Sequence, residues 1–352
     1  MYNLLDNLML QLRIFVIQQQ IKLASKEILG LYDQEDWILR SYEDGHTTKL
    51  TKVFEERIKN VLIDIEPIFN DLDHELPILK NEDFCNSFSN YFCDFFNAFS
   101  GTIIILHNAD AVGRDVLKKH SQEYESGSLR NSSVSESSPR KRELIMISVC
   151  INARDNLLPS IMKLTKKFRI SNSSKINDEC KKILDERIDY IIDSFLENSN
   201  SVLSDIISKG FCCPTLVNKH TNEAIRPYIQ SLIFYLLSIF SEINNINHTI
   251  LPIIFPSIIE DIMSIYQSFM HTRPNEFSYN QIVLELSAVL EITDGVEVTK
   301  DTTDQFETIF SSAPKDLNAD DNRDHRLNVI DTYKKSMLIY TLPFQLMNSK
   351  FK

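Results

Sequence analysis

Residues 82–99 read EDFCNSFSNYFCDFFNAF. Phe84, Phe88, Phe92 and Phe96 recur every fourth residue, with Tyr91, Phe95 and Phe99 beside them. A strand would send such residues to alternate faces, whereas a helix gathers them on one stripe. Asn81 precedes the run and can cap it, with Glu82 and Asp83 in the first turn where the helix dipole favours them. So aromatic a stripe would suit a groove for a partner helix, and it is also what any buried helix face requires. Core packing is the expectation.

The same periodicity extends in both directions. Residues 4–29 place Leu5, Leu8, Leu12, Phe15, Ile17, Ile21 and Ile28 at helical spacing, and Gly30 can stop the helix. A loop is expected at residues 43–48. Thr47 and Thr48 then precede a helix through Val53, Ile58, Leu62 and Ile65, interrupted near Pro67. Helical patterns follow at residues 143–169 and at 177–196, the latter capped by Asn177, and Gly210 can end a further short helix. Two long apolar helices cover residues 225–243 and 250–270. Pro227 and Pro252 fit first turns, whereas Pro256 predicts a kink or a later start. Residues 277–292, 303–310 and 327–342 complete the set.

Residues 121–142, SQEYESGSLRNSSVSESSPRKR, hold eight serines and almost no apolar side chain. Such a stretch cannot bury enough surface to offset its chain entropy and reads as a disordered linker, the segment a protease should cut first. Ser138-Pro139 also has the form of a proline-directed phosphorylation site. The expected organisation is a first helical bundle over residues 1–120, the linker over 121–142, and C-terminal helical bundles over 143–352. The fold class is all-α, with consecutive antiparallel bundles forming an elongated rod.

Composition excludes several function classes. The 352 residues carry 37 Lys and Arg against 49 Asp and Glu, a formal charge of −12, which disfavours a nucleic-acid-binding surface. Seven glycines are too few for the phosphate loops of a nucleotide-binding α/β enzyme or for tight hairpins. No uninterrupted apolar run reaches the ~18 residues of a spanning helix. The nearest, residues 232–240, reads as a buried bundle helix. The first 20 residues have neither the basic start nor the small-residue cleavage site of a signal peptide. Six cysteines are scattered without a C-x-x-C, and reduced thiols are expected. Adjacent Cys212 and Cys213 could form only a strained disulfide.

Candidate chemistry is sparse. None of the eight histidines forms a metal-ligand pattern, although His107 and Asp110 could share a helix face. Cys150 could serve as a nucleophile only with a distant histidine. Arg154 and Arg226 are the candidate arginine fingers of a GTPase regulator. Basic clusters at residues 163–169 and at Lys181–Lys182 could touch lipid headgroups and equally fit solvated helix faces. The pairs Asp185/Asp189 and Glu260/Asp261 read as solvated faces. No catalytic, cofactor-binding or metal residue is assigned; the residues point to a helical scaffold and not to an enzyme.

Several stretches resemble, in order along the chain, the C-terminal region of exocyst complex component 2. They are Gln34-Glu35-Asp36-Trp37-Ile38, which holds the single tryptophan; residues 143–161 (ELIMISVCINARDNLLPSI); residues 225–270 with the loop Met270 to Phe277-Ser278; residues 281–292 (QIVLELSAVLEI); and Lys335-Ser336-Met337-Leu338. The resemblance implies a tether subunit that docks secretory vesicles at the plasma membrane during exocytosis by protein–protein scaffolding. It further implies other exocyst subunits as partners, small GTPases reached through those subunits, and no nucleic acid. The implied location is cytoplasmic, with peripheral association at the plasma membrane and secretory vesicles through the complex. That family's longer chain begins with an immunoglobulin-like domain that binds the GTPase Ral and a coiled rod; neither is in this sequence, so Ral binding is not carried over. The alternatives are another all-helical trafficking scaffold or an all-α small-GTPase regulator. Trp37 is expected to be structural, its ring a contributor to stability.

Overall fold

The computed structural model describes residues 2–42, 45–69, 78–121, 138–165, 173–211, 225–272, 279–293, 320–337, 340 and 342. These residues are almost wholly helical and group into two compact units, Met1–Ile192 and Asp193–Lys352. The fold is all-α.

In the first unit α1 (Tyr2–Leu29) runs into a 3-10 turn at Gly30–Gln34. It packs against α2 (Lys49–Phe69) and α3 (Glu82–Ser121). Asn81 caps α3 as its sequence predicts, accepting the Phe84 N–H at 2.8 Å. The aromatic stripe is core. Phe88, Phe92, Phe95, Phe96 and Phe99 are buried, and Phe54 of α2 stacks on Phe99 at 4.2 Å and meets Phe96 edge-on. Two side chains satisfy carbonyls that helix ends leave open. Arg13 of α1 donates through Nε (3.1 Å) and Nη2 (2.6 Å) to the Ile68 carbonyl of α2. Thr102 of α3 donates to the Ile28 carbonyl of α1 at 2.7 Å.

The next helix occupies the centre of this unit. α4 (Pro139–Asn152) passes through a π-turn at Ala153–Leu157 into α5 (Leu158–Thr165), and every residue from 143 to 153 is buried. Most of the linker read at residues 121–142 lies outside the described residues, namely 122–137; Ser121 still belongs to α3, and Ser138 caps α4 by accepting the Lys141 N–H at 3.2 Å. α6 (Ser173–Phe211) is one continuous helix. Asn177 is therefore interior to it and is not a cap. Gly210 closes this long helix and ends no separate short one.

Of the loop read at residues 43–48, residues 43 and 44 lie outside the described residues, and Gly45–Thr47 form a short strand paired antiparallel with the one just before the loop. β1 (Arg40–Tyr42) pairs with β2 (Gly45–Thr47) in the register Arg40–Thr47, Ser41–His46, Tyr42–Gly45. Three pairs are too few for an alternating pattern to show in the sequence.

The second unit contains the remainder of α6, then α7 (Pro227–Ile246), a 3-10 turn at His248–Ile250, α8 (Leu251–Thr272), α9 (Tyr279–Thr293) and α10 (Asp320–Ser336). Gly210 allows close approach in this unit: a Cβ there would fall 2.2 Å from the Tyr228 ring. The turn at Asn247 brings α8 onto α7, where Phe240 and Phe255 meet edge-on. α9 and α10 share the contact of Leu284, Ala288 and Ile330. Pro227 fits the first turn of α7 as expected. Pro67 and Pro256 neither interrupt nor delay their helices. Each lies within two turns of a helix end, so one ladder bond is lost and the flanking apolar burial holds the rest. The helix expected at residues 303–310 lies outside the described residues.

Among the described residues three helices are long and apolar enough to cross a membrane by length and composition, Pro139–Thr165, Pro227–Ile246 and His248–Phe269. The sequence criterion of an unbroken apolar run excluded them because polar residues punctuate each one. Of their most apolar windows 67%, 44% and 61% is buried inside the protein, so much of that surface already has a protein partner.

Candidate functional site

The Glu35-Asp36-Trp37-Ile38 motif follows the 3-10 turn after α1, and its two carboxylates reach across to the start of α2. Glu35 accepts the Trp37 N–H at 2.7 Å through Oε1 and the Thr48 hydroxyl at 2.7 Å through Oε2. Thr48 Oγ1 in turn accepts the Leu50 N–H, capping α2. Asp36 accepts the Ile38 N–H and pairs with Arg40 at 2.6 Å and with Lys49 at 3.3 Å. Burial raises the Glu35 carboxyl above its usual range, whereas the hydrogen bond from Arg40 holds Asp36 well below it. Trp37 sits at φ 58°, a left-handed conformation that a bulky residue adopts only under surrounding constraint. Its ring is half-buried, with the Arg142 guanidinium 5.1 Å above it. The motif is thus a structural corner, and Trp37 is a clamp on α4 rather than a fully buried core ring.

A second polar cluster lies inside the other unit. Arg226, at the N-terminus of α7, makes a bidentate pair with Glu285 of α9. Glu285 also accepts from Tyr228 at 2.6 Å and from Gln281 at 2.8 Å, and the Tyr228 and Tyr266 hydroxyls are 2.7 Å apart. Glu285 is fully buried and Arg226 nearly so. Burial pushes the Tyr266 hydroxyl far above its usual range. A carboxylate this deep needs its full set of donors. Arg226 is therefore consumed in holding α7 to α9, which does not suit an arginine finger. Arg154, the other candidate, is tied to Asp155 at 2.7 Å and to Asp185 at 2.8 Å. Asp185 is accordingly an interhelical partner, not part of a solvated face. Asp261 is also partly buried, which raises its carboxyl, with Glu260 beside it adding to the effect.

The remaining candidates separate. Cys150 is completely buried and burial pushes its thiol up to about 12, so it is no nucleophile. His107 Nε2 lies 3.5 Å from buried Glu143 on α4, and the side chain of Asp110 lies outside the described ones. No group of three His, Cys, Asp or Glu able to hold a metal occurs among the described residues. Lys163, Lys181 and Lys182 are exposed, and residues 166–169 are outside the described set.

The feature that sequence reasoning missed is on α1. Ile17, Ile21 and Ile28 are buried, but Leu5, Leu8, Leu12 and Phe15 are more than half exposed. They follow the three-four spacing of a helix–helix seam, with Leu4 and Met9 exposed beside them. Two charged residues, Asp6 and Arg13, fall within this span, and Arg13 is turned in to the Ile68 carbonyl. The sequence holds the signal: apolar residues occupy two sides of this helix, more than one packed face can use.

No curated protein and no solved structure matches the chain. The family profile of exocyst complex component Sec5 matches residues 2–341, nearly the whole length. The chain belongs to the exocyst complex component Sec5 family.

Proposed function

We propose that the chain acts as the component 2 subunit of the exocyst, docking secretory vesicles at the plasma membrane by scaffolding and carrying no active site. The observation that carries this reading is the family match over residues 2–341 together with an all-helical fold whose candidate reactive groups are bound up in packing. The exposed Leu5–Leu8–Leu12–Phe15 stripe is where it meets an apolar helix of another exocyst subunit. Six exposed apolar side chains lie together there, with Leu4, Leu5, Leu8, Leu12 and Phe15 each more than half exposed. Small GTPases are reached through the other subunits, and the chain works in the cytoplasm, peripheral to the plasma membrane and secretory vesicles through the complex. Weak contacts at several subunits would add through effective concentration.

The test is purification of the chain, tagged at its C-terminus at the endogenous locus, with mass spectrometry of what accompanies it. Recovery of the other exocyst subunits supports the reading. Their absence from a clean preparation of folded protein overturns it. A GTPase regulator would instead stimulate nucleotide hydrolysis or exchange and lose that effect on Arg154→Ala or Arg226→Ala.

A further inference from the structure

We propose that Cys93 and Cys180 are a redox modification site, closing a reversible disulfide that staples α6 to α3 within the first unit. Their Sγ atoms lie 3.7 Å apart across the two helices, 87 residues apart in the chain. A disulfide needs about 2.05 Å, so the sulfurs have less than two ångströms to close. The two thiols are buried, Cys93 at 7% exposure and Cys180 at 0%. The other described cysteines are placed differently: Cys85 donates to the Leu79 carbonyl, and Cys150 is sealed in the core.

The surroundings assign an order to the two sulfurs. Cys93 is the less buried of the two, the sulfur an oxidant reaches first, and its Sγ–H donates to Glu179 Oε2 at 3.5 Å. Cys180 is fully buried, and its contact with Cys93 and its burial both hold its proton on, which leaves it the second sulfur to react. With hydrogen peroxide as oxidant, Cys93 sulfur attacks one peroxide oxygen. The O–O bond breaks, and the departing hydroxide takes up a proton to become water. Cys93 is then a sulfenic acid. Cys180 sulfur attacks the Cys93 sulfur, the S–O bond breaks, and a second water leaves with the remaining thiol proton. Two electrons pass from the thiols to peroxide, and the products are one disulfide and two waters. Any dithiol reductant reverses the bond by exchange. Closing so long a loop restricts the unfolded chain strongly, so the oxidised form should resist unfolding more than the reduced form.

The experiment uses the full chain carrying Cys212→Ser and Cys213→Ser, which removes the adjacent pair from competition. The folded protein is treated with hydrogen peroxide, then alkylated, digested and mapped by mass spectrometry. The expected result is a cross-linked peptide joining Cys93 to Cys180, lighter by two hydrogens, reversed by dithiothreitol and accompanied by a higher urea midpoint. Cys93→Ser and Cys180→Ser, each confirmed helical by circular dichroism, should lose the cross-link. Two outcomes overturn the proposal: both thiols survive, or are oxidised singly, while the chain keeps its helical signal; or the link forms only in urea.

Discussion

α3 and α1 both carry apolar residues at helical spacing, yet the structure treats them differently. The stripe of α3 is enclosed on its whole length from Phe84 to Phe99, where α1, α2 and α4 pack around it. α1 buries one side through Ile17, Ile21 and Ile28 and leaves the other, Leu8 at 62% and Leu12 at 53%, open. Periodicity specifies a helix and which residues share a face; it does not specify what covers the face. The difference separates apolar residues that hold this chain together from those available to hold it to something else.

Substitutions can break this division, and the largest effect belongs to the enclosed stripe. Phe96→Ala should cost about 3–5 kcal/mol in urea denaturation, because a fully buried ring leaves a cavity among its neighbours. A cost below about 1 kcal/mol would remove the claim that this stripe is the core. The second unit sharpens the point with a polar interior. Arg226→Ala should also cost about 3–5 kcal/mol by leaving Glu285 buried without its partner, and Arg226→Met combined with Glu285→Leu should recover most of the loss. Equal costs for the single and double changes would contradict that account.

Trp37 lies between enclosed and open. Trp37→Ala should cost about 1–2 kcal/mol, the sum of a half-buried ring and its contact with Arg142, below what a core tryptophan would cost. A loss of about 4 kcal/mol or more would contradict a half-buried ring. The neighbouring Asp36 gives a pH signature. Its folded carboxyl is held below the unfolded one by Arg40, so its stabilisation is complete above about pH 4 and is lost as pH falls further. Asp36→Asn should therefore lower stability at neutral pH by about 0.5–1 kcal/mol, with the gap to wild type closing under acid. A gap that widened under acid would reverse the assignment. Smallest of all, Leu8→Ala with Leu12→Ala should change the stability of the isolated chain by less than about 0.5 kcal/mol.

The helical class, the α3 core, the Asn81 cap and the first-turn prolines were all legible, because each depends on local spacing or on one side chain's chemistry. The continuous α6 was not. Asn177 has the chemistry of a helix cap, and here the burial of Ile176, Cys180 and Leu184 on one face carries the helix through it. Three-residue strands at β1 and β2 are too short to leave a pattern. The Arg226–Glu285 pair joins positions 59 residues apart, a separation at which no spacing rule operates. The open face of α1 is present in the sequence as an excess of apolar residues on two sides, and helical spacing alone does not say which side is covered.

The most direct measurement compares the tagged wild-type chain with a Leu8→Asp, Leu12→Asp variant, purified from cells and analysed by quantitative mass spectrometry beside a thermal melt of each isolated protein. Matching melts with the other exocyst subunits recovered on wild type and lost from the variant is the predicted result. Subunits retained at wild-type levels on a folded variant would contradict the assignment of this face as the contact with the complex.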